Sequence, residues 1–173
     1  GGLNGKKMML LEFPDGAIPH GSDVACRMFA DQGVHWLIAH PERNKAVMRN
    51  PDIIKPFVDM GCMLQLTAAS VVGAFGRAAG QTAHTLLTRG LAHVVASDAH
   101  NLAHRPPRMG EARRYLSQHF GMGIAYRLTE ENPARILAER VAEPGEELPL
   151  AQPQQATQAA APQGVIPQRM YAN

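Results

Sequence analysis

Short apolar runs alternate along the chain with segments whose apolar residues recur at helical spacing. That is the pattern of βα units, which build a parallel sheet or barrel. Met8–Phe13 reads as a buried strand, closed by the turn-forming Pro14-Asp15-Gly16 and Pro19-His20-Gly21. Ser22 or Asp23 is placed to cap a helix that continues to Gln32, and Gly33 stops it. His35–His40 reads as a second strand and Pro41–Asn50 as a polar loop. Pro51 opens a helix that ends at Gly61. Cys62–Thr67 is a third strand, Ala78–Arg89 a helix ended by Gly90, and Ala92–Ser97 a fourth strand. Asp98–Pro107 reads as a loop, followed by helices over Arg108–Phe120 and Ala125–Leu137.

From Pro144 the composition turns to Gln, Ala and Pro, and the periodicity disappears. Such a segment buries too little apolar surface to offset its ordering entropy. Residues 144–173 are therefore expected to be a disordered tail behind a domain spanning 1–143. Four βα units fall short of a barrel, which takes eight strands and about 250 residues. The chain also opens almost directly on a buried-looking strand, so the fold is expected to begin upstream of Gly1.

The full 173 residues suffice for one domain with a hydrophobic core. A net charge of +2 with no Lys/Arg run argues against a nucleic-acid or membrane-surface binder. No apolar stretch approaches the roughly 20 residues that span a bilayer, so the chain is not expected to be membrane-spanning. Met8–Leu11 is too short for a signal-peptide core of about 7 to 15 residues, and a cytoplasmic location is the expectation.

The chemistry lies where the strands end. Glu12 closes the first, His40 the second, and Asp98-Ala99-His100 follows the fourth. In parallel α/β folds the C-terminal strand edge is where sites are built. Mixed carboxylate and imidazole donors suit Mn²⁺, Fe²⁺ or Zn²⁺. Glu12, His40, Asp98 and His100 are therefore the candidate metal ligands. Arg43 lies three residues past His40, and Arg105 five past His100 in a segment stiffened by Pro106 and Pro107. Guanidinium groups bind phosphate bidentately, so both are candidate phosphate contacts.

Other polar residues carry less. His35 and His93 sit at strand starts, away from this edge, and read as structural; His84 and His119 fall within helices. His20 and His104 are loop residues within reach of the site, and Trp36 reads as core. Cys26 and Cys62 sit in apolar patterns and read as small buried hydrophobes. A cysteine-based phosphatase loop needs Arg six residues after its nucleophile; those positions hold Gln32 and Ala68.

Several motifs occur in a telling order: Leu10-Leu11-Glu12-Phe13-Pro14, Ala39-His40-Pro41-Glu42-Arg43-Asn44, Gly61-Cys62-Met63-Leu64-Gln65-Leu66-Thr67-Ala68, Ser97-Asp98-Ala99-His100-Asn101, Arg105-Pro106-Pro107, and Glu131-Asn132-Pro133-Ala134-Arg135-Ile136-Leu137. Over residues 3–138 this resembles the tyrosine phosphatases of the polymerase-and-histidinol-phosphatase (PHP) superfamily, of the CpsB/CapC capsule and exopolysaccharide type. The resemblance implies an α/β fold, the C-terminal part of a distorted (β/α) barrel. It also implies a cluster of up to three divalent metals, Mn²⁺ foremost, with Glu12, His40, Asp98 and His100 among the ligands. Arg43 and Arg105 match arginines flanking the phosphate site. The implied substrate is the phosphotyrosine tail of a partner autokinase that controls polysaccharide export.

The family's His-x-His motif precedes the segment matching Met8–Phe13, so the chain is expected to lack the first strands and ligands. A half-barrel exposes sheet edges, which favours a partner and leaves homo-oligomerisation open. Two alternatives share these motifs. One is a PHP phosphoesterase acting on a small phosphomonoester such as histidinol phosphate; the other is a truncated, non-catalytic remnant.

Overall fold

The computed structural model describes residues 7–101 and 107–137. The boundary at 143, the expected tail 144–173, His104 and Arg105 lie outside the described residues. Four strands, β1 (Lys7–Leu11), β2 (Val34–Ala39), β3 (Met63–Thr67) and β4 (Val94–Ala96), form one parallel sheet in the order β1-β2-β3-β4. Spatial order follows chain order with no reversal, so the sheet has no switch point of the doubly wound kind. β1 and β4 are its outer strands among the described residues.

The central strands are buried on both faces, which is why they read as apolar runs rather than alternating patterns. Ile38, Leu64 and Leu66 are without solvent contact, as are Leu86 and Leu116 from the covering helical layer. That layer comprises α1 (Ser22–Ala30), α2 (Lys45–Arg49), α3 (Lys55–Asp59), α4 (Ala68–Val71), α5 (Arg77–Thr88), α6 (Met109–Phe120), α7 (Met122–Tyr126) and α8 (Asn132–Leu137). Phe13 meets Phe57 edge to face at 5.5 Å between centroids, seating the chain after β1 on α3. The outer side of β1 is less covered. Met9, Leu10, Val24, Met28 and Phe29 are all exposed there and on α1.

Several expectations needed correction. The N-cap of α1 is Gly21, at φ 80°, and not Ser22 or Asp23. Ser22 Oγ instead donates to the Pro19 carbonyl at 2.7 Å. The stretch read as a polar loop, 41–50, holds a 3₁₀ turn (Pro41–Arg43) and α2. The helix expected over 51–61 divides into a 3₁₀ turn (Pro51–Ile54) and α3, where Pro56 has no N–H to continue a regular ladder. α4 was not foreseen. The last helix begins earlier, at Met122, and passes through a π turn (Arg127–Glu131) just before Pro133, another position without an N–H.

Two buried side chains fasten the pieces that carry the site. Asn44 is the first. Its Nδ2 donates to the carbonyls of Pro14 (2.8 Å) and Ala17 (3.1 Å), while Oδ1 accepts from the amides of Ala46 (2.9 Å) and Val47 (3.3 Å). One amide thus caps α2 and pins it to the loop after β1. The second is His93, structural as expected. Its backbone N–H donates to the Leu64 carbonyl (2.9 Å), and its Nδ1 accepts from the Leu64 amide (3.1 Å). Its own carbonyl accepts from Asn132 Nδ2 (2.7 Å), which fixes the start of α8. Trp36 stacks edge to face on Phe29 at 5.4 Å and is partly buried against the core.

Both fastenings are testable in the full-length protein. Asn44→Ala removes the cap and the two bonds to the Pro14 and Ala17 carbonyls, so urea denaturation should register a loss of about 1–3 kcal/mol; a loss below about 0.5 kcal/mol would remove the pin. Burial lowers the His93 pKa from 6.5 to about 4. Below 6.5 the unfolded imidazole takes a proton that the folded one refuses. Stability therefore falls as pH drops from 6.5 towards 4, by up to about 1.4 kcal/mol per unit from this group. His93→Gln should flatten the profile of denaturation midpoints between pH 7 and 5, and an unchanged slope would assign it to other groups.

Candidate metal centre

Sheet register delivers the polar residues to one edge. Leu11 pairs with Ile38, and Ile38 with Leu64. Glu12, one residue past β1, and His40, one past β2, therefore leave the sheet together. Thr67 and Ala96, the last residues of β3 and β4, pair with each other, and Asp98 follows two residues later. His40 (φ 34°) and Asp98 (φ 47°) are the non-glycine residues with positive φ among those described. This backbone region is disfavoured by about 1–3 kcal/mol and concentrates at functional sites. The chain turns abruptly where each strand ends, and each turn bears a candidate ligand.

Four of the five described candidates meet a partner of the same set within 3.1 Å. Glu12 Oε1 lies 3.1 Å from His40 Nε2, the carboxylate exposed and the imidazole buried. Arg43 Nη1 donates to Asp98 Oδ2 at 2.8 Å, both side chains largely shielded from solvent. His100, the fifth, is exposed, and its Nδ1 is 3.9 Å from Asp98 Oδ1. The Asp98 backbone carbonyl lies 2.8 Å from that nitrogen and can only accept, so Nδ1 is the donor there, which in the neutral imidazole leaves the lone pair on Nε2. That is the tautomer of a metal-binding imidazole whose other nitrogen is anchored. The Arg43 guanidinium rests over the Phe75 ring, 4.6 Å from its centroid. The donors therefore suit a divalent cation in kind. They stand as a Glu12–His40 pair and an Asp98–His100 pair, and no group of three or more His, Cys, Asp or Glu side chains converges among the described residues. Arg105 lies outside them.

Sequence reading missed the residues beneath these. Glu42 is fully buried, and its Oε1 accepts the Thr67 amide at 3.0 Å. Burial pushes its carboxyl pKa up, against the pull of the Ser70 hydroxyl and the Thr67 amide. Glu42 Oε2, Thr67 Oγ1 and Ser70 Oγ are sealed from solvent without a hydrogen-bonding partner of normal geometry. Phe75 was overlooked as well, being a lone aromatic in a glycine-rich turn. The only available signal for Glu42 was its place between His40 and Arg43.

The cysteines are buried and free, as expected. Burial raises both thiols, Cys62 to about 12, far from a nucleophilic thiolate. No helix among the described residues is long and apolar enough to cross a membrane.

Comparison with known proteins bears on this edge. The family model for capsular polysaccharide synthesis, CpsB/CapC, matches residues 2–138. The tyrosine-protein phosphatase YwqE of Bacillus subtilis (strain 168) is 37% identical over 131 residues, covering 74% of this chain and 50% of its own. The tyrosine-protein phosphatase CpsB of Streptococcus pneumoniae is 34% identical over 114 residues, covering 63% and 47% respectively. A solved structure from the work on YwqE of B. subtilis and CpsB of S. pneumoniae, described as unique metal-dependent tyrosine phosphatases, superposes with a TM-score of 0.76 at 33% identity. That match covers 82% of this chain and 57% of the solved one. The chain thus spans about half the length of the curated relatives it matches. On the extent of the family match and the shared fold, it belongs to the CpsB/CapC family of capsular polysaccharide synthesis.

Proposed function

We propose that this chain supplies one side of the active site of a metal-dependent protein-tyrosine phosphatase acting in capsule or exopolysaccharide synthesis. The observation that carries the reading is the meeting, at one sheet edge, of Glu12 with His40 and of Arg43 with Asp98. The names and metal dependence of the relatives support it. Glu12, His40, Asp98 and His100 would hold the divalent metal ions, with Mn²⁺ the first choice and Fe²⁺ or Zn²⁺ compatible with the same donors. Bound divalent metal lowers the pKa of water and polarises phosphoryl oxygens.

The chain's own residues do the rest. A guanidinium has five N–H donors, so Arg43 can keep Nη1 on Asp98 and turn others to the phosphate. The Phe75 ring, 4.6 Å from Cζ, gives that guanidinium a second contact. Arg105, by its place five residues past His100, supplies the second guanidinium. Together they offset the charge that develops on the equatorial oxygens. Neither buried thiol is suited to form a phosphoenzyme.

The fold proposed for the whole protein is a distorted (β/α) barrel of the PHP type. The chain-ordered parallel sheet and the exposed apolar side chains of Met9 and Leu10 on β1 support further strands packing there. The substrate proposed is a phosphotyrosine segment of a partner autokinase, met in the cytoplasm.

In the full-length protein, EDTA should abolish turnover of a phosphotyrosine peptide and Mn²⁺ should restore it; turnover persisting in excess EDTA would defeat the reading. Arg43→Ala should lower kcat/KM on that peptide by about 100-fold, the usual effect of removing one donor to transition-state charge. Arg43→Lys should recover only part, since an ammonium lacks the bidentate fork. Steady-state kinetics with the metal at saturation checks both, and unchanged kcat/KM in Arg43→Ala would take Arg43 out of the site.

A further inference from the structure

A carboxylate with no solvent contact is costly unless its surroundings reward it. Glu42 lies between His40 and Arg43 in the 3₁₀ turn and points away from solvent, while His40 meets Glu12 and Arg43 meets Asp98. The turn's own bonds are few. The Arg43 amide donates to the His40 carbonyl at 3.0 Å, and the Asn44 amide to the Pro41 carbonyl at 3.1 Å. These bonds shape the turn but do not fix it to the sheet. The Glu42 side chain does so: its Oε1 accepts from the amide of Thr67, the last residue of β3. Thr67 in turn pairs with Ala96, two residues before Asp98. One side chain therefore links the turn bearing His40 and Arg43 to the strand edge that leads to Asp98. His40 at the same turn holds a left-handed backbone conformation, which persists only where neighbouring structure over-determines it.

We propose that Glu42 is a positioning residue: by accepting the Thr67 amide, its buried carboxylate orients the turn so that the His40 imidazole and the Arg43 guanidinium reach the same sheet edge. The role needs an acceptor at a defined reach. It does not need a negative charge. Glutamine keeps both the length and the carbonyl oxygen. Aspartate keeps the charge but is one methylene too short to hold Thr67 without dragging the turn inward.

This rests on the proposed roles of His40 and Arg43, and the experiment separates the two. Full-length wild type, Glu42→Gln and Glu42→Asp are compared below their own melting temperatures, in two readouts. Mn²⁺ affinity is measured by competition with a chromogenic chelator, and kcat and KM on a phosphotyrosine peptide at saturating Mn²⁺. Glu42→Gln should stay within about threefold of wild type in both. Glu42→Asp should bind Mn²⁺ roughly tenfold more weakly and lose at least tenfold in kcat/KM, sizes typical of disturbed support for a ligand. The proposal is overturned if Glu42→Asp matches wild type, or if Glu42→Gln loses as much as Glu42→Asp. It is also overturned if Glu42→Asp fails to fold while Glu42→Gln is intact, because the side chain would then serve stability alone. Wild type that turns over no phosphotyrosine peptide would defeat the functional reading only; the Mn²⁺ affinities would still judge the brace.

Discussion

Parallel pairing of β2 between β1 and β3, with both of its faces covered, is the constraint on which the rest of the molecule depends. Ile38, Leu64 and Leu66 have no contact with solvent, and a slip of one residue in register would turn apolar side chains out of the core. Pairing Leu11 with Ile38 and Ile38 with Leu64 fixes where each strand ends. The first polar residue after each apolar run must then leave the sheet at the same edge. Packing energy thereby decides where the carboxylates and imidazoles meet, and the positions of Glu12, His40 and Asp98 are by-products of the core.

Core packing alone does not orient what leaves it. Loops at the strand ends carry polar groups that cannot be secured by apolar contact, and here buried hydrogen bonds hold them. Asn44 joins the loop after β1 to the start of α2 through four bonds, and Glu42 joins the turn after β2 to the end of β3. Buried polar groups of this kind are expensive when half-satisfied and stiffening when satisfied. The strained backbone at His40 and Asp98 is held within this framework. The same logic extends to Arg43, whose guanidinium is fixed from two sides, by Asp98 at 2.8 Å and by the Phe75 ring. An arginine held by two contacts is restricted in its rotamers in advance, the condition under which the phosphate contact proposed for it would gain from pre-organisation.

Hydrophobic patterning in the sequence, together with the rule that parallel sheets are fed by covering helices, determined the four strands, the longer helices, the burial of both cysteines and the strand-end placement of Glu12, His40 and Asp98. Periodicity reports burial, and burial is what the sheet and its covering layer require. Local chemistry was less legible. Short turns around Pro41, Pro51 and Pro56 were blurred into a loop and a single helix, because one missing N–H redistributes hydrogen bonds over only a few residues. Only the tertiary structure decided that Glu42 faces inward to Thr67, that Asn44 fastens two loops, that Phe75 lies under Arg43, and that the candidate ligands stand in pairs. Each of those is a contact between residues far apart in the chain, or a choice of which way a polar side chain turns. Neither leaves a periodic trace, since a buried glutamate and a solvated one are written with the same letter.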